Sequence, residues 1–134
     1  MENSLKKSTI DVDAFLPFGS LIEIGNERKK FTINNGYCER FDEIATVEIE
    51  GNEAKPIISI FSAKPRKRPI KIDYLEMHPM GSQTFLPIHN IDWIVVVASD
   101  KDGSPDISSI KSFRVKGTQG ISYKPYTWHF PLLV

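Results

Sequence analysis

Short runs rich in β-branched and aromatic residues, each closed off by Gly, Pro, Asn or Asp, recur along the whole chain and constrain what it can fold into. Strands are predicted over Ser20 to Ile24, Lys30 to Asn34, Thr46 to Ile49, Pro56 to Ser62, Ile70 to Met77, Ser82 to Pro87, Trp93 to Ala98, Phe113 to Val115, Ile121 to Tyr123 and Trp128 to Val134. Thr46-Val47-Glu48-Ile49-Glu50 and Ile70-Lys71-Ile72-Asp73-Tyr74 alternate polar with apolar residues, as a half-buried strand does. Trp93-Ile94-Val95-Val96-Val97-Ala98 does not alternate, so it should be a central strand buried on both faces. Helix is confined to a capped turn within Ser8 to Phe15, before Pro17, and a short Asp-capped stretch from Asp106 to Ile110. Many short strands with one or two short helices predict an all-β sandwich, jelly roll or small barrel.

The chain has 134 residues, 40% of them hydrophobic and 25% charged, which suits one core and a single domain spanning residues 1–134. Its formal net charge of zero provides no field for nucleic acid or for an anionic membrane, and neither partner is expected. The basic run Lys64-Pro65-Arg66-Lys67-Arg68-Pro69 reads as a solvated loop. A lone Cys38 excludes an intrachain disulfide and a cysteine-based zinc cluster, and fits a reducing compartment. The first residues lead into no apolar signal region, and the longest apolar run is too short to span a bilayer, so a cytoplasmic location is expected.

Chemistry concentrates in two segments. In Leu75-Glu76-Met77-His78-Pro79-Met80-Gly81-Ser82-Gln83, Glu76 and His78 stand two apart and share a face of an extended chain. The Pro79 to Ser82 turn then returns Gln83 beside them. The second segment, Tyr123 to Pro131, places His129 among aromatic residues. Two imidazoles, a carboxylate and an amide oxygen form a donor set for a divalent transition metal, and a carboxylate beside imidazoles also suits proton transfer. Each residue has a plainer reading. His78 serves equally as a hydrogen-bonded rim residue, His129 as a satisfied core histidine, and Gln83 as a turn support. Asn34-Asn35-Gly36 reads as a turn tolerant of positive φ, and Arg40 can pair with Glu39 or Asp42.

Four blocks in order, Ile33-Asn34-Asn35-Gly36-Tyr37-Cys38-Glu39-Arg40, Leu75 to Pro87, Gly117 to Tyr123 and Trp128 to Leu132, resemble the signatures of the ureidoglycolate lyase family of allantoin breakdown. The resemblance implies a cupin-type jelly-roll barrel and a homodimer that splits (S)-ureidoglycolate into glyoxylate and urea. It implies Glu76, His78 and His129 as catalytic residues, with those three and Gln83 as ligands of a divalent metal, nickel by association with the family. Asn34, Asn35, Arg40, Gln83, Gln119, Tyr123 and Trp128 become the substrate-binding set, Arg40 clamping the carboxylate. The family also carries a further C-terminal strand and tail, so residues 1–134 are expected to lack part of the barrel wall. A different cupin enzyme acting on a small hydroxy or keto acid, or a non-catalytic small-acid binding module, is the alternative, because a fold does not determine its substrate.

Overall fold

The computed structural model describes residues 4–134. In chain order its elements are β1 (Lys7–Thr9), α1 (Val12–Phe15), β2 (Gly19–Ile22), β3 (Lys29–Ile33), β4 (Cys38–Asp42), β5 (Gln83–Phe85), β6 (Trp93–Ala98), β7 (Asp100–Lys101), β8 (Ser104–Pro105), β9 (Lys111–Val115), β10 (Gly120–Tyr123) and β11 (Trp128–His129). A four-stranded sheet in the order β1-β9-β6-β11 and a three-stranded sheet in the order β2-β10-β5 make up the body. The hairpins β3-β4 and β7-β8 stand apart from both. The chain is all-β and cupin-like, with helix limited to α1 and two 3₁₀ turns among the described residues.

The core fills the space between the two sheets, and the period-2 alternation of each strand supplies it. Trp93, Val95 and Val97 of β6, with Phe113 and Val115 of β9, meet Leu21, Ile121 and Tyr123 from the other sheet. Val96 points to the opposite face, where Phe130 and Leu133 join it under Ile70, Ile72 and Leu75. β6 is therefore covered on both sides and flanked by β9 and β11, as its unbroken apolar run requires.

Asp11 caps α1 by accepting a 2.8 Å hydrogen bond from the Ala14 amide. This single turn delivers Phe15, fully buried, between the rings of Phe18, Phe113 and Tyr123. Asp106 caps the 3₁₀ turn at Ile107–Ser109, so both short capped segments form where the sequence places them. The Phe18 carbonyl oxygen then accepts from the Lys124 amide and from the Thr127 hydroxyl, the latter at 2.9 Å, which ties the start of β2 to the turn after β10.

Three predicted strands form no ladder. Thr46 to Ile49 contributes only a bridge from Ile49 to Gly81, Pro56 to Ser62 forms none, and Ile70 to Met77 contributes only a bridge from Glu76 to His129. Pro56, Pro65 and Pro69 each remove a backbone donor along this stretch, and Ile57, Ile58 and Ile60 remain exposed, so neither face of the segment is buried. The terminal run reduces to β11 and a bridge between Ile94 and Leu133. Conversely, β1, β4, β7 and β8 arise where no apolar alternation marks them. β1 pairs in parallel with β9 over a separation of about a hundred residues, a choice invisible to local pattern. β4 is held to β3 by cross-strand ion pairs such as Lys30 with Glu39 at 3.6 Å. No helix among the described residues is long and apolar enough to cross a membrane.

Because Phe15 joins α1 to both sheets, Phe15→Ala is expected to destabilise the protein by about 3–5 kcal/mol, the usual cost of emptying a buried aromatic site. Urea denaturation monitored by circular dichroism measures this, and a loss below about 1 kcal/mol would mean that α1 contributes little to the fold.

Candidate active site

The site is built on one pair of backbone hydrogen bonds. The Glu76 amide donates to the His129 carbonyl and the His129 amide donates to the Glu76 carbonyl, each at 2.8 Å. Such a reciprocal pair places the two side chains side by side on one face. His78, two residues on, returns to that face, and its carbonyl accepts from the Tyr126 amide at 3.1 Å. The consequence is that one ligand atom each from Glu76, His78 and His129 lies within 4.8 Å of the others. The His78 and His129 rings stand 5.2 Å apart.

Tyr126, at φ 67°, lets the chain reverse between β10 and β11. Tyr123 and His129 thereby stack, with ring centroids 4.3 Å apart and planes 13° from parallel. The cavity beside them has a volume of about 320 Å³ and is walled by Phe61, Phe85, Trp93, Tyr123 and Leu132, with Ser62, Glu76 and His129 among its polar members. None of the described residues lining it is a lysine or arginine.

His129 is buried, and its Nδ1 lies 3.0 Å from the Thr127 carbonyl oxygen. Only a protonated nitrogen can donate to that oxygen, so in the neutral ring the Nε2 lone pair is directed toward Glu76 and His78. Burial lowers the His129 pKa, partly opposed by the Thr127 hydrogen bond and the Glu76 charge. Nε2 is 3.5 Å from Glu76 Oε1 and makes no hydrogen bond. Two facing acceptors at that distance repel unless a proton or a cation sits between them, so this donor set fits a metal ion. Burial, and then the Glu76 charge, raise the Tyr123 pKa and keep its phenol protonated. Gln83 faces Tyr123 in register across β5 and β10, and its Oε1 is buried without a partner.

The other candidate residues are engaged elsewhere. Arg40 Nε donates to Asp42 Oδ1 at 2.8 Å, so the guanidinium serves its own strand and not the cavity. Asn34 and Asn35, at φ 54° and 56°, form the exposed tip of the β3-β4 hairpin. Gln119 is buried, but it accepts from the Lys116 amide and donates to Glu23, which shapes the turn between β9 and β10. Trp128 donates its indole N–H to Asp100 at 2.8 Å and does not line the cavity. Conversely, sequence reasoning passed over Trp93 as a cavity residue. The signal available was an indole at the head of a fully apolar strand, since a buried Trp N–H usually has a partner.

Fold and site together define a cupin-type, all-β protein with a carboxylate and an imidazole lining an apolar cavity and a second imidazole beside them. The family model described as ureidoglycolate lyase matches residues 2–134. The chain is 40% identical to the ureidoglycolate lyase of Brucella anthropi over 90% of this chain and 70% of that one. It is 39% identical to ureidoglycolate lyase 1 of Rhizobium meliloti over 99% of this chain and 76% of that one. It is 41% identical to a ureidoglycolate lyase of Pseudomonas aeruginosa over 97% and 76%. The chain belongs to the ureidoglycolate lyase family.

A histidine held below its unfolded pKa of about 6.5 leaves the unfolded chain to bind the proton first as pH falls. Its contribution to stability is whole above that pH and is lost on going down toward the folded pKa. Chelator-treated protein should therefore become easier to unfold in urea between roughly pH 7 and pH 5, and His129→Gln should flatten the decline. Equal slopes for the two proteins would show that His129 titrates like a solvated imidazole.

Proposed function

We propose that this protein is a ureidoglycolate lyase, releasing glyoxylate and urea from (S)-ureidoglycolate. The observation that carries the reading is the convergence of Glu76, His78 and His129 beside a cavity that Glu76 and His129 line, in a chain of this family. The substrate is a hemiaminal, so three things must happen. The hydroxyl on the central carbon loses its proton, the carbon–nitrogen bond breaks as the carbonyl forms, and the departing urea nitrogen gains a proton.

Glu76 is the base that takes the hydroxyl proton. The released electron pair closes the new carbonyl, and the carbon–nitrogen pair leaves with urea. His78, as the imidazolium, delivers the proton to that nitrogen and then recovers one from Glu76, which resets both groups. The backbone pair with His129 holds Glu76 in place, and once Glu76 carries the substrate's proton its O–H can donate to His129 Nε2. Tyr123 stacks on His129 and closes the apolar wall, which excludes water from the breaking bond. In a second arrangement Glu76, His78 and His129 would act as ligands of a divalent ion such as nickel, with Gln83 Oε1 as a fourth donor, instead of as base and acid. Bound there, such an ion supplies Lewis acidity that lowers the pKa of the substrate hydroxyl.

The assembly is read as a cytoplasmic homodimer of this one domain. The dimer is supported by the exposed Ile57, Ile58, Ile60 and Phe61, an apolar surface of the kind that marks an interface. The single Cys38 is in keeping with a reducing compartment.

Urea and glyoxylate release from ureidoglycolate, measured after chelation and again with nickel or manganese restored, tests the reading. Glu76→Gln is expected to lower the rate by at least about a hundredfold, the usual scale of a lost general base, while Gln83→Ala retains measurable turnover. The reverse ranking would reject these roles, and no turnover by folded, metal-supplied protein would reject the lyase reading itself.

A further inference from the structure

We propose that Trp93 is a substrate-recognition residue whose indole N–H donates to the carbonyl oxygen of the ureido group. Three buried side-chain polar atoms among the described residues have no hydrogen-bond partner: Gln83 Oε1, His129 Nε2 and Trp93 Nε1. His129 and Trp93 line the cavity, and Gln83 stands in register with Tyr123, which lines it too. Gln83 Oε1 and His129 Nε2 are acceptors in the neutral state and have an explanation in the donor set around Glu76. Trp93 Nε1 is a donor only, so neither a metal ion nor a proton can satisfy it.

Trp93 is 95% buried, lines the cavity and packs against Phe85 at 6.2 Å between ring centroids, and its Nε1 is covered by its neighbours, so a substrate acceptor meets it as the ring turns toward the cavity. Leaving such a donor unpaired is unfavourable for the folded chain, and an arriving acceptor removes the penalty. The chemistry of that acceptor follows from the wall around it. Phe85, Val95, Tyr123 and Leu132 line the cavity with Trp93, and no lysine or arginine among the described residues does. A carboxylate placed against this wall would be desolvated with one neutral donor in return, whereas an amide-like carbonyl needs only that donor. The substrate's carboxylate therefore belongs at the Glu76, His78 and His129 pole, where a positive ion fits, and its ureido carbonyl at Trp93. Recognition of this kind also discriminates, because a 2-hydroxy acid without a ureido group leaves the indole unpaired.

The inference rests on the lyase reading for the identity of the ureido group, and the experiment separates the two. Trp93→Phe keeps an aromatic ring and removes the donor. It is expected to raise KM for ureidoglycolate about three- to tenfold with kcat little changed, the scale of one neutral hydrogen bond made equally in ground and transition states. The melting temperature should not fall as a structural hydrogen bond would require, since no protein partner is lost. The indole proton resonances give a direct readout. N-carbamoylglycine, the substrate without its hydroxyl, is expected to move the Trp93 signal downfield and leave Trp128, already bonded to Asp100, in place. Glycolate, which lacks the ureido group, is expected to move neither.

An unchanged KM in Trp93→Phe, no Trp93 shift with millimolar N-carbamoylglycine, or an equal shift with glycolate would overturn the proposal. Urea release by the parent protein without a Trp93 shift defeats this inference and spares the lyase reading. A selective shift without urea release supports the ureido pocket and defeats the lyase.

Discussion

The reciprocal backbone pair between Glu76 and His129 is the constraint on which the site depends. Between β4 and β5 the chain runs from Asp42 to Gln83 with no ladder of its own. Its fixings are the clasp of Ile49 and Gly81, the pair at Glu76 and His129, and the bond from Tyr126 to His78. Hydrogen bonds worth about 0.5–1.5 kcal/mol each cannot order so long a segment against a backbone cost of about 1–2 kcal/mol per residue. The apolar cover does that, as Ile70, Ile72 and Leu75 lie on Val96, Phe130 and Leu133. Arg66 adds its guanidinium over the Phe130 ring at 4.7 Å. The hydrogen bonds then decide register, and register decides function. A slip of one residue would turn Glu76 and His78 away from His129 and leave the cavity without its base.

Legibility in the sequence followed the range of the interaction. Local rules found β6, the caps at Asp11 and Asp106, and the common face of Glu76 and His78. The last succeeded although the segment is not part of a ladder, because an extended backbone alternates its side chains whether or not it is paired. What failed was the choice of partner. Pro56 to Ser62 carries the composition of a strand but no neighbour for its donors. Gln119 and Trp128 looked available in the sequence, yet one is spent on Glu23, 96 residues away, and the other on Asp100, 28 residues away. Arg40 was misread for a nearer reason, since Asp42, two positions on, shares its strand face and takes its charge. Trp93 was hidden by its own setting, because in an apolar run an indole counts as bulk and its single donor is overlooked.

Charge bounds how the cavity can work. Glu76 contributes a carboxylate to it and His129, its pKa lowered by burial, a neutral imidazole. A substrate that brings its own carboxylate would face Glu76 with no lysine or arginine in the wall between them. At about 4 Å and an effective dielectric constant near 20, two such charges repel by roughly 4 kcal/mol, close to a thousandfold in affinity. The apolar wall cannot offset that, so a positive charge has to enter with the substrate or precede it. An imidazolium at His78 supplies one such charge, and a divalent ion on Glu76, His78 and His129 supplies two. The second arrangement turns the repelling carboxylate into a ligand and fills the gap between Glu76 Oε1 and His129 Nε2. It is the one in which all the converging acceptors of this site are satisfied at once, and it leaves the neutral donor of Trp93 free for the neutral end of the substrate.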